Sequence, residues 1–349
     1  MFLLSSCFVG AIYYFRVMSL VKANNAISAK QASHSRLTSR FGGIAAILAL
    51  LVGVFLTYDK IISYIVLSML PVFLAGAFED LGFDIKPFYR FLASIVSGFS
   101  AIYLTGTWLI DVDLTVLTPI LMISPLAVCF TAFASAGISN SINLIDGVNG
   151  LAGGVIAIIS FALCIISFSV NEFDLAIFCL LLLGTVLGFL IWNFPKGLVF
   201  LGDAGAYTFG HCLAWVAILL ISRHPEISAW AIFCVFFWPI MDTGFAIYRR
   251  LIKRVSINQP DRLHFHQLVM RALILSSRGK ISRELANPLS TVIILPLCGL
   301  INLIGVIFLN ENSISFITIL TAVCLFCGGY KLVVNLSSSK LLQKILKSD

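Results

Sequence analysis

Apolar residues fill this chain in long blocks, without the alternation of a half-buried strand or the single stripe of a soluble amphipathic helix. Blocks near 1–17, 42–57, 61–77, 91–110, 116–136, 151–170, 174–192, 204–221, 229–247, 288–308 and 313–330 each approach the ~20 residues that an α-helix needs to cross the hydrocarbon layer. Backbone groups inside lipid must be satisfied within their own segment, which selects helices over isolated strands. The pattern predicts an all-α integral membrane protein with about 11 transmembrane helices. Only Tyr58, Asp59 and Lys60 separate the second block from the third, which predicts a tight hairpin there. The first block lacks the basic start of a cleaved signal, since Arg16 is the first basic residue, and it is expected to remain as a membrane helix.

Composition agrees with this pattern. The 349 residues are 60% hydrophobic and 11% charged, with a mean hydropathy of +1.03, whereas a soluble domain carries about 25% charge. A membrane helix bundle folds as one unit, so residues 1–349 are expected to form a single polytopic domain. All nine cysteines lie in apolar stretches, and the Cys324–Cys327 pair has no neighbouring His or charge. Packing thiols fit that setting better than a zinc site or disulfide framework.

Charge sets the orientation. All but Lys60 and Arg223 of the 23 Lys and Arg fall on one side of the predicted membrane, and the excess of basic residues marks the cytoplasmic side. That places the loops 18–41, 78–90, 137–150, 193–203 and 248–287 and the tail 331–349 in the cytoplasm. The N-terminus is then periplasmic and the C-terminus cytoplasmic, in a bacterial inner membrane.

Carboxylates carry the chemical signal. Glu79, Asp80, Asp146, Asp203 and Asp242 lie at cytoplasmic ends of apolar blocks, where burial of a carboxylate is costly unless it is paired or used. Glu79 and Asp80 are adjacent, and like charges held together perturb each other's ionisation; Lys86 and Arg90 follow in a short basic loop. Asn140, Asn143 and Asp146 recur at three-residue spacing, which aligns them on one face of a helix or helical turn, and Gly147 and Gly150 follow. Asn193, Pro195 and Lys196 lead to Gly202 and Asp203 at the start of the next apolar block. There Asp203 is either an N-cap or a hard-oxygen ligand suited to Mg²⁺ on a phosphate. Finally, His264 and His266 are clustered in the basic 248–287 loop with Arg249, Arg250, Lys253, Arg254 and Arg262. Such a group would bind diphosphate oxygens, while HxH alone is a poor zinc site.

These four blocks, with HSRLTSRFGGIAA at residues 34–46, resemble the polyprenyl-phosphate N-acetylhexosamine-1-phosphate transferase family, glycosyltransferase family 4. The resemblance implies a site at the cytoplasmic membrane face. Glu79, Asp80, Asp146 and Asp203 would be catalytic, with Asp203 and Asp80 holding Mg²⁺ or Mn²⁺ in its place. Arg40, Lys86, Asn140, Asn143, Asn149, Asn193, His264 and His266 would bind substrate. The chain departs from the family pattern at Glu79 and Asn149, which replace Asp, at Gln267, where His is common, and at Ser35 and Leu37 to Ser39, which lack the prolines of the family's PTPR segment.

The activity implied is that of a phosphotransferase acting on substituted phosphate groups. It would pass N-acetylglucosamine-1-phosphate from UDP-GlcNAc to undecaprenyl phosphate and release UMP, initiating a surface polysaccharide such as O-antigen. The expected partners are therefore a UDP-sugar, undecaprenyl phosphate, the bilayer and a second copy in a homodimer, with no nucleic acid. Another UDP-N-acetyl amino sugar or the muramoyl-pentapeptide substrate of peptidoglycan synthesis is the alternative within this chemistry. A secondary transporter is the alternative from another class, disfavoured because the carboxylates cluster at one surface and no internal repeat is visible.

Overall fold

A computed structural model describes residues 1–15, 39–254, 263–278 and 280–338. Most of the predicted 18–41 loop, with residues 34–38 of the HSRLTSR stretch, lies outside the described residues, as do Arg262 and the tail from residue 339.

Among the described residues every long element is helical: α1 (Phe2–Phe15), α2 (Gly42–Phe55), α3 (Lys60–Ser68), α4 (Leu70–Asp80), α5 (Pro87–Thr105), α6 (Ser124–Leu144), α7 (Leu151–Ser169) and α8 (Phe173–Asn193). Then come α9 (Gly202–Arg223), α10 (Ala229–Val235), α11 (Phe237–Ile252), α12 (Phe265–Ser276), α13 (Arg283–Ile307) and α14 (Asn312–Ser338). Extended pairing among these residues is confined to one parallel bridge, Ser39 to Val199.

Seven helices (α5 to α9, α13 and α14) are long and apolar enough to cross a membrane, and the bent pairs α3–α4 and α10–α11 raise the number to nine. The chain is thus a multi-pass membrane protein. Each of the eleven predicted blocks falls on helix, but α1 and α2 have 14 residues each, about 21 Å of helix and short of the hydrocarbon thickness. The predicted 61–77 and 229–247 segments are broken, by 42° and 84°. Pro71 and Pro239 stand just after these breaks, where a ring without an N–H ends the preceding ladder.

The predicted 116–136 span is shifted, because its helix begins at Ser124 and runs to Leu144. Asn140 therefore rides on a long apolar helix, where its Nδ2 donates back to the Ala136 carbonyl at 2.7 Å. The 248–287 loop likewise contains the 12-residue helix α12.

Helix α9 is the axis of the bundle. Every residue from Gly202 to Leu220 is buried, as expected of a helix apolar on all sides and ringed by neighbours; α2, α4, α6 and α7 pack around it. Contact is close because side chains are missing where backbones cross. A Cβ on Gly43 would meet the Leu201 carbonyl at 2.1 Å and the Gly205 Cα at 2.5 Å, and one on Gly76 would meet Ala204 at 2.6 Å. Small residues at such crossings permit the dispersion contacts that join helices in lipid. Outward leucines and isoleucines of α13 and α14, such as Leu300, Leu303 and Ile317, remain exposed and suit contact with acyl chains.

Candidate active site at the start of helix α9

Helix α9 begins buried, so its first N–H groups need partners from elsewhere. They come from Asp80 at the end of α4, whose Oδ1 accepts from the Asp203 N–H at 3.0 Å and whose Oδ2 accepts from Ala204 at 2.9 Å. Asp80 is thus the cap of a helix that starts more than a hundred residues later. The carboxylate also lies 3.6 Å from the Arg40 Nε, and its side chain is fully enclosed. Gly202 makes the approach possible: its φ is +71°, and a Cβ there would collide with the Arg40 carbonyl at 2.3 Å and with Asp80 Oδ2 at 2.6 Å.

This cap leaves the Asp203 side chain available for other partners. Its Oδ1 accepts from Arg40 Nη2 at 2.9 Å, and its Oδ2 is paired with Arg90 Nη1. Arg90 also approaches Glu79 Oε1 at 4.0 Å, and the second oxygen of Glu79 is buried without a partner among the described residues. Arg40 reaches this place because Gly42 and Gly43 donate to the carbonyls of Phe200 and Leu201, and Phe200 donates to the Ser39 carbonyl.

The turn between α6 and α7 brings Asp146 to the same spot. Its carboxyl is raised to about 6 by burial, which outweighs the opposing pull of Arg40 and a hydrogen bond from the Gly202 N–H. Asp80, Asp146 and Asp203 therefore meet at one point, although they come from three distant segments. Asn140 and Asn143 line the cavity above them, Asn140 donating to Ser94 Oγ at 3.3 Å.

Asn149 and Asn193 hold this turn in place. Asn193 Oδ1 accepts the Gly150 N–H at 2.6 Å while its Nδ2 donates to Val199; Asn149 Nδ2 donates to the Pro195 carbonyl at 2.8 Å. From α13, Asn287 Oδ1 accepts the Asn149 N–H at 2.7 Å, and Thr291 donates to its carbonyl.

The opposite wall is the start of α12. Asp242 on α11 accepts from the Phe265 N–H at 2.9 Å and lies 2.8 Å from His264 Nδ1. The His264 and His266 rings are stacked, 5.7 Å apart, and His266 presses on Gly147, where a Cβ would stand 2.2 Å from Nε2. Burial lowers His266 to about 4, against the opposing charge of Asp242, so this imidazole is neutral at pH 7. Neither of its ring nitrogens has a partner among the described residues. Lys86 is exposed at the head of α5 and does not line the cavity.

Carboxylates, arginines and histidines all open on one cavity of about 1250 Å³. The profile of glycosyl transferase family 4 matches residues 62–221, which include Glu79, Asp80, Asp146 and Asp203. Over that stretch the chain is similar to glycosyl transferase family 4.

Proteins similar to this chain carry related names. It is 28% identical over 269 residues to the undecaprenyl-phosphate alpha-N-acetylglucosaminyl 1-phosphate transferase of Yersinia pestis, covering 74% of this chain and 73% of that protein. Identity is 26% over 285 residues to a probable undecaprenyl-phosphate N-acetylglucosaminyl 1-phosphate transferase of Bacillus subtilis, with 80% and 76% covered. A phospho-N-acetylmuramoyl-pentapeptide-transferase of Lactiplantibacillus plantarum is 34% identical over 134 residues, 37% of this chain and 40% of that one.

Asn287 and Thr291 stand in the sequence only as a polar pair four residues apart at the start of an apolar block, and Arg90 as a basic loop residue suited to phosphate oxygens, without a sign of its pairing with Asp203. No group of three or more His, Cys, Asp and Glu is arranged to hold a metal among the described residues. Mg²⁺, however, uses one or two protein carboxylates and fills its remaining positions with phosphates and water, and the unpartnered Glu79 oxygen beside Asp203 suits that donor set. The site thus fits a cation that arrives with a phosphate ligand, not a resident one held by protein alone.

Gly147→Ala tests the histidine wall. Its Cβ would push His266 aside by roughly an ångström, and displacement on that scale costs about 10²-fold in turnover. The expected result is that loss with an unshifted thermal midpoint in detergent.

Proposed function

We propose that the chain transfers N-acetylglucosamine-1-phosphate from UDP-GlcNAc to undecaprenyl phosphate and releases UMP. The site would lie at the cytoplasmic face of a bacterial inner membrane, with the N-terminus periplasmic and the C-terminus cytoplasmic, and the product would initiate a surface polysaccharide such as O-antigen. One observation carries the reading: a single cavity is lined both by charged and imidazole side chains, Arg40, Arg90, Asp146, Asp203, His264 and His266, and by large apolar ones, Phe91, Phe130, Phe133, Trp230 and Phe233. A diphosphate suits the former and a polyprenyl tail the latter, and only at a membrane surface do the two meet.

In this reading an oxygen of the lipid phosphate attacks the β-phosphorus of the nucleotide sugar. The bond from that phosphorus to the bridging oxygen breaks, and UMP leaves with the electron pair. Such transfers depend on positioning and on charge neutralisation. Arg40 and Arg90 would turn from Asp203 towards the diphosphate oxygens, which guanidinium groups grip in pairs. Asp80, by capping the first N–H groups of α9, would hold the start of that helix and the Asp203 side chain in place beside the phosphates. Mg²⁺ or Mn²⁺, held by Asp203 with Glu79 or Asp146, would supply neutralisation of the diphosphate charge when bound. Neutral His266 would offer a hydrogen bond to an uncharged part of the donor.

The test uses membranes containing the full chain, labelled UDP-GlcNAc, undecaprenyl phosphate and Mg²⁺. A butanol-extractable labelled lipid and an equal amount of UMP are expected, with both abolished by excess EDTA. Product from UDP-N-acetylmuramoyl-pentapeptide, or from another UDP-N-acetyl amino sugar, in place of UDP-GlcNAc would overturn the choice of sugar. Movement of intact nucleotide sugar across sealed vesicles without chemical change would overturn the enzyme.

A further inference from the structure

The histidine wall is gripped from a helix that contributes nothing else to the cavity. Leu263, the residue before His264, presents its carbonyl to Tyr330 Oη at 3.0 Å and to Arg249 Nη1 at 3.1 Å. Arg249 also donates to Tyr330 Oη at 2.8 Å, which closes a three-membered ring of hydrogen bonds, with the guanidinium 5.7 Å from the Tyr330 ring centroid. Arg249 lies two turns beyond Asp242 on α11, so one helix holds residue 263 by its carbonyl and residues 264 and 265 by a carboxylate. Tyr330 is buried on α14, and Phe326, one turn earlier, packs on Phe265 at 5.0 Å.

We propose that Tyr330 is a positioning residue. Its hydroxyl fixes the Leu263 carbonyl to Arg249, and this sets the register in which His264 meets Asp242 and His266 meets Gly147. A phenol in that place is both donor and acceptor at once, and removal of one member weakens a closed ring by more than one isolated bond. The last helix is thereby a structural part of the site, although the family 4 match ends at residue 221. The consequence for turnover rests on the function proposed above; the geometry does not.

Tyr330→Phe keeps the ring and deletes the hydroxyl. Diethyl pyrocarbonate labelling, read residue by residue by mass spectrometry on the full chain in detergent, reports how often the wall opens. Loss of one net hydrogen bond corresponds to roughly five-fold more frequent opening. His264 and His266 are expected to label about five-fold faster, with His211, deep in α9, unchanged. In the transfer assay kcat/KM for the nucleotide sugar should fall by a similar factor while the KM for the lipid phosphate stays constant. Unchanged labelling of His264 and His266 would overturn the proposal, and so would an equal rise at His211, which would mean general loosening. Faster labelling in a chain whose parent transfers no sugar phosphate would keep the positioning role and remove the proposed function instead.

Discussion

Asp203→Asn is expected to lower sugar-phosphate transfer about 10³-fold, the scale lost when a group aimed at developing charge is removed. The carboxylate is the shared partner of Arg40 and Arg90, and an amide in its place presents N–H to N–H and lacks the charge that keeps both guanidinium groups poised. The fold should survive, because the first N–H groups of α9 are capped by Asp80 and not by Asp203. Arg40 is also half-exposed and can turn towards water. A folded, monodisperse variant without product is therefore the expected outcome, scored by lipid extraction beside size-exclusion chromatography. Turnover within ten-fold of the parent would remove Asp203 from the chemistry. Asp80→Ala, by contrast, strips the cap from a buried helix end and should lose activity and folded protein together.

Gly43→Val is expected to cost the fold on the order of 3 kcal/mol, at the upper end for an overpacked contact. The added Cβ would lie 2.1 Å from the Leu201 carbonyl and 2.5 Å from Gly205, where the obstructing atoms are backbone and cannot swing away. Helix α2 would have to separate from α9, and with it Arg40 would leave Asp203. A large drop in the thermal midpoint and in the folded fraction after solubilisation is the expected measurement. Gly244→Ala is the control, since a Cβ there meets nothing within 4 Å. Equal stability of the two variants would show that the α2–α9 crossing does not set the bundle.

Much of this architecture was legible in the chain itself, for reasons that stop at definite places. Hydropathy acts over about twenty residues, so each apolar block fell on helix. It is blind to whether a helix bends, and the breaks after Ser68 and Val235 are set by prolines and by contacts such as the 2.9 Å approach of Ser68 Oγ to His211 Nε2. The carboxylates stood out because charge at the end of an apolar block is expensive, and Asp80, Asp146 and Asp203 do meet. Their separate duties did not stand out. Asn149 and Asn193 share the polar character of Asn140 and Asn143, yet their side chains tie down backbone groups of the 149–150 turn and the 195–199 segment, a duty set by neighbours distant in sequence.

From its residues alone the chain determined that it lives in lipid, that it is helical, and which polar side chains must find a use, because transfer out of water acts on every residue wherever it sits. Only the packed bundle decided that Asp80 caps a helix 123 residues ahead, that Arg40 reaches an aspartate 163 residues away, and that Asp242 and Tyr330 grip the histidine wall. Those pairings depend on which backbones approach closely, and approach is governed by glycines at crossings and by bends in spans, quantities that exist only after the helices have met.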